Sequence, residues 1–148
     1  MKLAARFVLF VIVSGATSLY AQTPDSAGLV KVTSGSVVIV RDGLERPAQI
    51  GVPVFATDHI KTGGDGRVGL TLKDDTRVSL GPNSELRLDQ FEFAPATGHV
   101  ALVIKFVRGV AAYVSGRIAK ISPDAVRLET PAAIVGVRGT TLGIRVTD

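Results

Sequence analysis

An all-β domain is the fold class the sequence predicts, and three observations predict it. Apolar residues recur at every second position in short runs, as in Val68-x-Leu70-x-Leu72. Gly, Asp, Asn, Pro and Ser interrupt those runs at spacings of roughly eight to twelve residues. No segment sustains the stripe of an amphipathic helix. A chain of 148 residues allows one compact domain, and its 46% hydrophobic content suffices to build a core. Cysteine is absent, which excludes disulfides, thiolate metal sites and cysteine nucleophiles.

The first 21 residues read as an export signal. Lys2 and Arg6 form the positive start, Phe7 to Val13 the apolar middle, and smaller residues follow up to Ala21. Seven apolar residues in a helix cover only ~10 Å, against ~30 Å for a hydrocarbon layer. Removal after Ala21 is therefore expected, with Ala16-Thr17-Ser18 as a second cut site and retention as an uncleaved anchor as the alternative. Without Lys2 and Arg6, fifteen basic residues face thirteen acidic ones. So nearly neutral a body speaks against binding nucleic acid, which needs a concentrated basic patch.

Residues 22–28 form a polar linker, and residues 29–148 form the β domain. Leu29 to Thr33 and Val37 to Arg41 are expected to open it as a hairpin through Ser34-Gly35, with Asp42-Gly43 closing the second strand. The segment Thr62-Gly63-Gly64-Asp65-Gly66 turns the chain into three rungs, Val68 to Leu72, Val78 to Leu80 and Leu86 to Leu88, expected to follow one another. A second block has Val100 to Val107, Val110 to Val114, Val126 to Leu128, Ile134 to Val137 and Leu142 to Val146, punctuated by Pro95, Gly109, Gly116, Pro123 and Pro131. The β-branched and aromatic content of Ala101 to Val107 favours a buried strand over a helix. Sandwich, barrel and solenoid all bury one face of such strands and stay open on pattern alone.

Candidate site residues are few. Arg138 stands between Gly136-Val137 and Gly139-Thr140, where small neighbours admit a close backbone while the guanidinium reaches sideways. It is expected to join a partly buried charge pair with Asp58, or else with Glu129; ligand binding is the alternative. Phe91 and Phe93 share one strand face and are expected at the core, with an exposed contact patch as the other reading. His59 and His99 lack the spacing of a zinc or hydrolytic site, and no Gly-x-Ser-x-Gly elbow accompanies Asp58-His59. Asp65, Asp74 and Asp75 read as turn formers instead of calcium ligands. Gly63 to Gly66 lacks the Lys-Ser/Thr and helix of a phosphate loop, and the glutamates at 45, 85, 92 and 129 show no converging pair. No cofactor or metal is expected, nor an enzyme.

Four segments, read in order, carry a resemblance: Ser34-Gly35-x-Val37; Thr57-Asp58-x-Ile60-x-Thr62-Gly63; the rungs from Val68 to Leu80; and Thr130-Pro131 followed by Gly136-Val137-Arg138-Gly139-Thr140. Together they resemble the FecR domain family, between Val30 and Val146, with the final Val-Arg-Gly-Thr the most specific part. The resemblance implies an envelope protein of a Gram-negative type bacterium, periplasmic or extracellular, and a twisted, solenoid-like arrangement of strands. In the regulators that name the family, the domain links a cytoplasmic segment that controls a sigma factor to a C-terminal domain that senses an outer-membrane transporter. Here the apolar run begins within the first few residues and the chain ends two residues after Val146, so a single-domain module without those segments is expected. Its expected role is non-enzymatic binding of an envelope protein partner, through strand addition at an open sheet edge. A self-associating structural or adhesive subunit is the alternative, and an envelope polysaccharide hydrolase comes third.

Overall fold

The computed structural model describes residues 24–139 and 141–147; the expected export signal, the start of the linker and Thr140 lie outside the described residues. The chain is all-β, as the alternation predicts. One strongly curled, mainly antiparallel sheet forms a half-barrel. Its strands are β1 (Gly28–Ser34), β2 (Val37–Arg41), β3 (Leu44–Pro47), β4 (Pro53–Val54), β5 (His59–Thr62), β6 (Arg67–Leu72), β7 (Arg77–Leu80), β8 (Glu85–Ala94), β9 (His99–Val114), β10 (Val126–Glu129), β11 (Ile134–Gly136) and β12 (Thr141–Val146).

β9 is the spine. Its first half pairs with β8 on one side and, in parallel, with β10 on the other; its second half pairs with β7 and β12. Two wings result, one running β3-β2-β5-β8-β9 and the other β9-β7-β6-β1-β4. Alternate residues of both wings point inward, so Val30, Leu70, Val78, Leu80 and Tyr113 of one meet Ile39, Ile60, Leu86, Leu88 and Phe106 of the other in one core. Ala101 to Val107 is indeed strand, inside β9.

The wings divide at two corners, and each corner is written in glycine and small polar residues. At Gly109, φ is +89°, and a Cβ there would lie 2.2 Å from Ser84 Oγ. The buried Ser84 hydroxyl accepts from the Val110 N–H at 2.9 Å and the Ser84 N–H donates to Thr62 Oγ1 at 2.8 Å. At the other corner Gly35, with φ +64°, packs on the Gly63–Gly66 turn: the Ser36 N–H donates to Asp65 Oδ1 at 3.1 Å and the Gly63 N–H to the Ser36 carbonyl at 2.9 Å. Both corners bend a backbone where a side chain would not fit.

Three expectations are corrected by these corners. β1 and β2 do not pair: Ser34-Gly35-Ser36 carries the chain from one wing to the other, so β1 pairs with β6 and β4, while Asp42-Gly43 makes the hairpin of β2 with β3. β6 and β7 are successive rungs, but the third, in β8, lies across β9 in the other wing. Partners interleave along the sheet, so the strands curl as a half-barrel in place of the rung-upon-rung order a solenoid requires. One short helix also escapes sequence patterning. It is α1 (Arg117–Ile121), with Ile118 and Ala119 buried.

Candidate functional site

Two buried carboxylates anchor the body of the domain. Asp58 has no exposure, and its oxygens receive Arg41 Nε and Nη2 at 2.7 Å each and the Phe55 N–H at 2.8 Å. Arg41 also donates to the Pro53 carbonyl at 3.1 Å and stacks 4.3 Å from the Phe55 ring centre. A bidentate fork of this kind satisfies the carboxylate geometry and ties β2 to the loop before β5. The guanidinium on Asp58 is that of Arg41. Asp74, equally buried, accepts from the Thr76 N–H and hydroxyl at 3.1 and 2.7 Å and from the Ile118 N–H at 3.2 Å, so it holds the start of α1. The Arg117 N–H adds a bond of 2.6 Å to the Asp74 carbonyl.

A polar cluster surrounds Glu85. His59 Nε2 lies 2.5 Å from Glu85 Oε1, and Arg108 Nε lies 3.1 Å from Oε2. Burial pushes the His59 imidazole below its ordinary pKa, Glu85 pulls it up, and the neighbouring Lys61 and Arg87 charges push it further down. His99 is exposed and contacts the Thr97 hydroxyl at 3.1 Å. Among the described residues, no three His, Asp or Glu side chains gather as a metal would need.

Phe91 and Phe93 are half-buried on β8 and pack on the edge of the core, with the Arg117 guanidinium 4.9 Å from the Phe93 ring centre. They line a shallow cleft of about 320 Å³ that Asp25, Lys73 and His99 also border.

The least finished part of the molecule is its C-terminal end. Val126 and Leu128 of β10 are buried, while Arg127 and Glu129 alternate outward and lie 3.5 Å apart. Thr130 closes the next turn: its N–H donates to the Ala133 carbonyl at 2.8 Å, and its Oγ1 accepts from the Ala133 N–H at 3.1 Å. Among the described residues β11 then pairs only with β10, and it is exposed throughout. Val137 drops into the core with 3% exposure, Arg138 and Gly139 stay outside, and Gly139 takes φ +59°. β12 returns against β9, placing Leu142, Ile144 and Val146 on its inner face. That face is only half-buried.

Because β10 and β12 pair with different halves of β9, a groove opens between β11 and β12. Leu128, Val135, Leu142 and Ile144 line this groove of about 270 Å³, with Thr130 and Arg145 at its rim. Behind β11 lies a wider cleft of about 610 Å³, lined by Asp124, Arg127, Ile134, Gly136, Val137 and Arg138. Gly136, Val137 and Arg138 thus belong to the wall of the cleft, and Thr140 lies outside the described residues. Arg41, Asp74 and Ser84 were missed as key positions by sequence reasoning. A small polar residue amid an alternating apolar run was the available signal for Ser84; nothing in the order of residues pairs Arg41 with Asp58, seventeen positions away.

The described interior is a half-barrel core pinned by the buried polar groups of Asp58, Asp74 and Ser84. The chain belongs to the FecR protein family, whose model matches residues 58–148. The match begins at Asp58, so the Ser34-Gly35-x-Val37 segment lies before it, although β1 and β2 complete both wings of the same sheet. The family is signalling-related, acts through protein interactions in the envelope and is not known for enzymes. Neither the curated proteins nor the solved structures give a match to the chain. Among the described residues no helix is long and apolar enough to cross a membrane.

Proposed function

We propose that the chain is an exported, non-enzymatic β domain that binds a protein partner in the bacterial cell envelope. The observation that carries this reading is the open C-terminal end: a six-residue strand, β12, with one edge unpaired among the described residues and a half-buried inner face opening on an apolar groove. Half-covered aliphatic residues gain from further burial, and an unpaired row of N–H and C=O groups gains from another strand. The commitment of Asp58 and Asp74 to internal hydrogen bonds supports a binding role over hydrolysis, since neither is presented to a substrate.

Site-specific photo-crosslinking tests the reading. A Cβ at Gly143 meets no atom within 4 Å, so a benzoylphenylalanine at position 143 is tolerated. In living cells it is expected to capture one discrete envelope protein. Absence of any discrete adduct in fractionated envelopes would overturn the proposal. Intact mass of the exported protein, expected to lack residues 1–21, tests the export step.

A further inference from the structure

The four outer strands of the sheet are not equivalent. β3 ends in Glu45-Arg46-Pro47, β4 is two residues long and begins with Pro53, and β11 has three residues. Charge, proline and brevity are the usual guards against adding a strand. β12 has neither proline nor brevity. It runs Thr141-Leu142-Gly143-Ile144-Arg145-Val146, pairs with β9 along one edge, and carries a single charge.

Its two faces specify what sits alongside. Leu142, Ile144 and Val146 face the core edge, and the residues opposite them on an added strand extend the lining of the groove formed with Leu128 and Val135. Thr141, Gly143 and Arg145 face outward and are exposed. Arg145 makes no ion pair among the described residues, and its outward neighbour on an added strand sits within reach of its guanidinium. A second copy adding its own β12 in antiparallel order, with Ile144 opposite Ile144, would keep the apolar face continuous but place Gly143 opposite Arg145. That arrangement leaves the positive charge unanswered.

Building on the partner-binding reading above, we infer that the free edge of β12 takes an extended protein segment alternating apolar and acidic residues, apolar side chains into the groove and an Asp or Glu beside Arg145. Main-chain bonds along β12 supply the pairing, and the charge supplies the selection.

The test titrates the full chain with two capped heptapeptides, Val-Glu-Val-Glu-Val-Glu-Val and its lysine counterpart, followed by backbone amide NMR. The glutamate peptide is expected to shift amides of residues 141–146 saturably and to bind about tenfold more tightly than the lysine peptide at low salt. The Arg145→Glu variant is expected to reverse that preference. A glutamate peptide N-methylated on alternate amides is expected to lose binding, because the pairing edge is blocked. Equal binding of both peptides, or shifts confined to other residues, would overturn the inference. So would dimerisation in sedimentation that protects the 141–146 amides and is unchanged by Arg145→Glu, since a second copy would then be the occupant. A discrete adduct at position 143 that survives Arg145→Glu and excess glutamate peptide would sink the acidic-segment inference while leaving partner binding in place.

Discussion

Asp58 and Ile144 stand at opposite ends of one design problem. Around Asp58, a charge removed from water is met by two guanidinium bonds and one amide, and the strands beside it are capped by Pro47 and Pro53. Around Ile144, apolar side chains are left half in water and the strand carrying them has an edge unpaired among the described residues. The first region satisfies its groups internally. The second does not, although the family match spans both Asp58 and the residues beyond Ile144. A domain that stabilises itself in one region and remains incomplete in another presents its incompleteness at a fixed place.

The largest expected effect breaks the satisfied region. Arg41→Ala leaves the Asp58 carboxylate buried with only the Phe55 N–H to meet it, and loss of one side of such a pair costs about 3 to 5 kcal/mol. Urea unfolding followed by circular dichroism should show that loss, with Arg41→Lys falling between. Asp74→Ala is next: the Thr76 and Ile118 N–H groups lose their acceptor, for about 2 to 3 kcal/mol, and the amides of α1 should exchange faster with deuterium. An unchanged midpoint for Arg41→Ala would mean that the two regions are held by packing alone.

Matched truncations sharpen the same comparison. Leu88 is 2% exposed and faces the core from β8, so Leu88→Ala should cost about 2 to 5 kcal/mol. Ile144→Ala removes the same three carbons, yet its site is half-solvated, and about 1 kcal/mol is expected. Equal destabilisation at the two positions would show that the groove is already closed in solution and would undercut its role as a docking surface.

How far this contrast was legible in the sequence follows from the range of the interactions. Alternation reports on one strand at a time, so the inward residues of β6, β7 and β9 were readable directly, as was the Asp42-Gly43 turn. Strand order is set by contacts between distant residues. Nothing local in Ser34-Gly35-Ser36 distinguishes a hairpin turn from a corner, because the deciding contact is with Asp65, twenty-nine residues on. The same holds for Asp58, because nothing local singles out Arg41, seventeen residues earlier, as its partner. The open end was hidden for another reason: Leu142-x-Ile144-x-Val146 has the pattern of a covered strand, and pattern does not show whether a neighbour arrives to cover it.

The smallest expected effect concerns His59, on the strand that follows Asp58, and its sign can be worked out. Burial lowers the folded-state pKa below the ordinary 6.5, so between the two values the unfolded chain binds the extra proton more readily than the folded one. Its contribution to stability is therefore whole above about pH 6.5 and falls as the pH drops from there through the folded value. Glu85 works against this shift from 2.5 Å. His59→Gln should flatten the pH dependence of the unfolding midpoint below 6.5, while Glu85→Gln removes the opposing pull and should steepen it. A flatter profile for Glu85→Gln would mean that the carboxylate does not oppose the burial effect. The β12 groove has no titrating group among its lining residues in this pH range, so peptide binding there should stay constant through the same window.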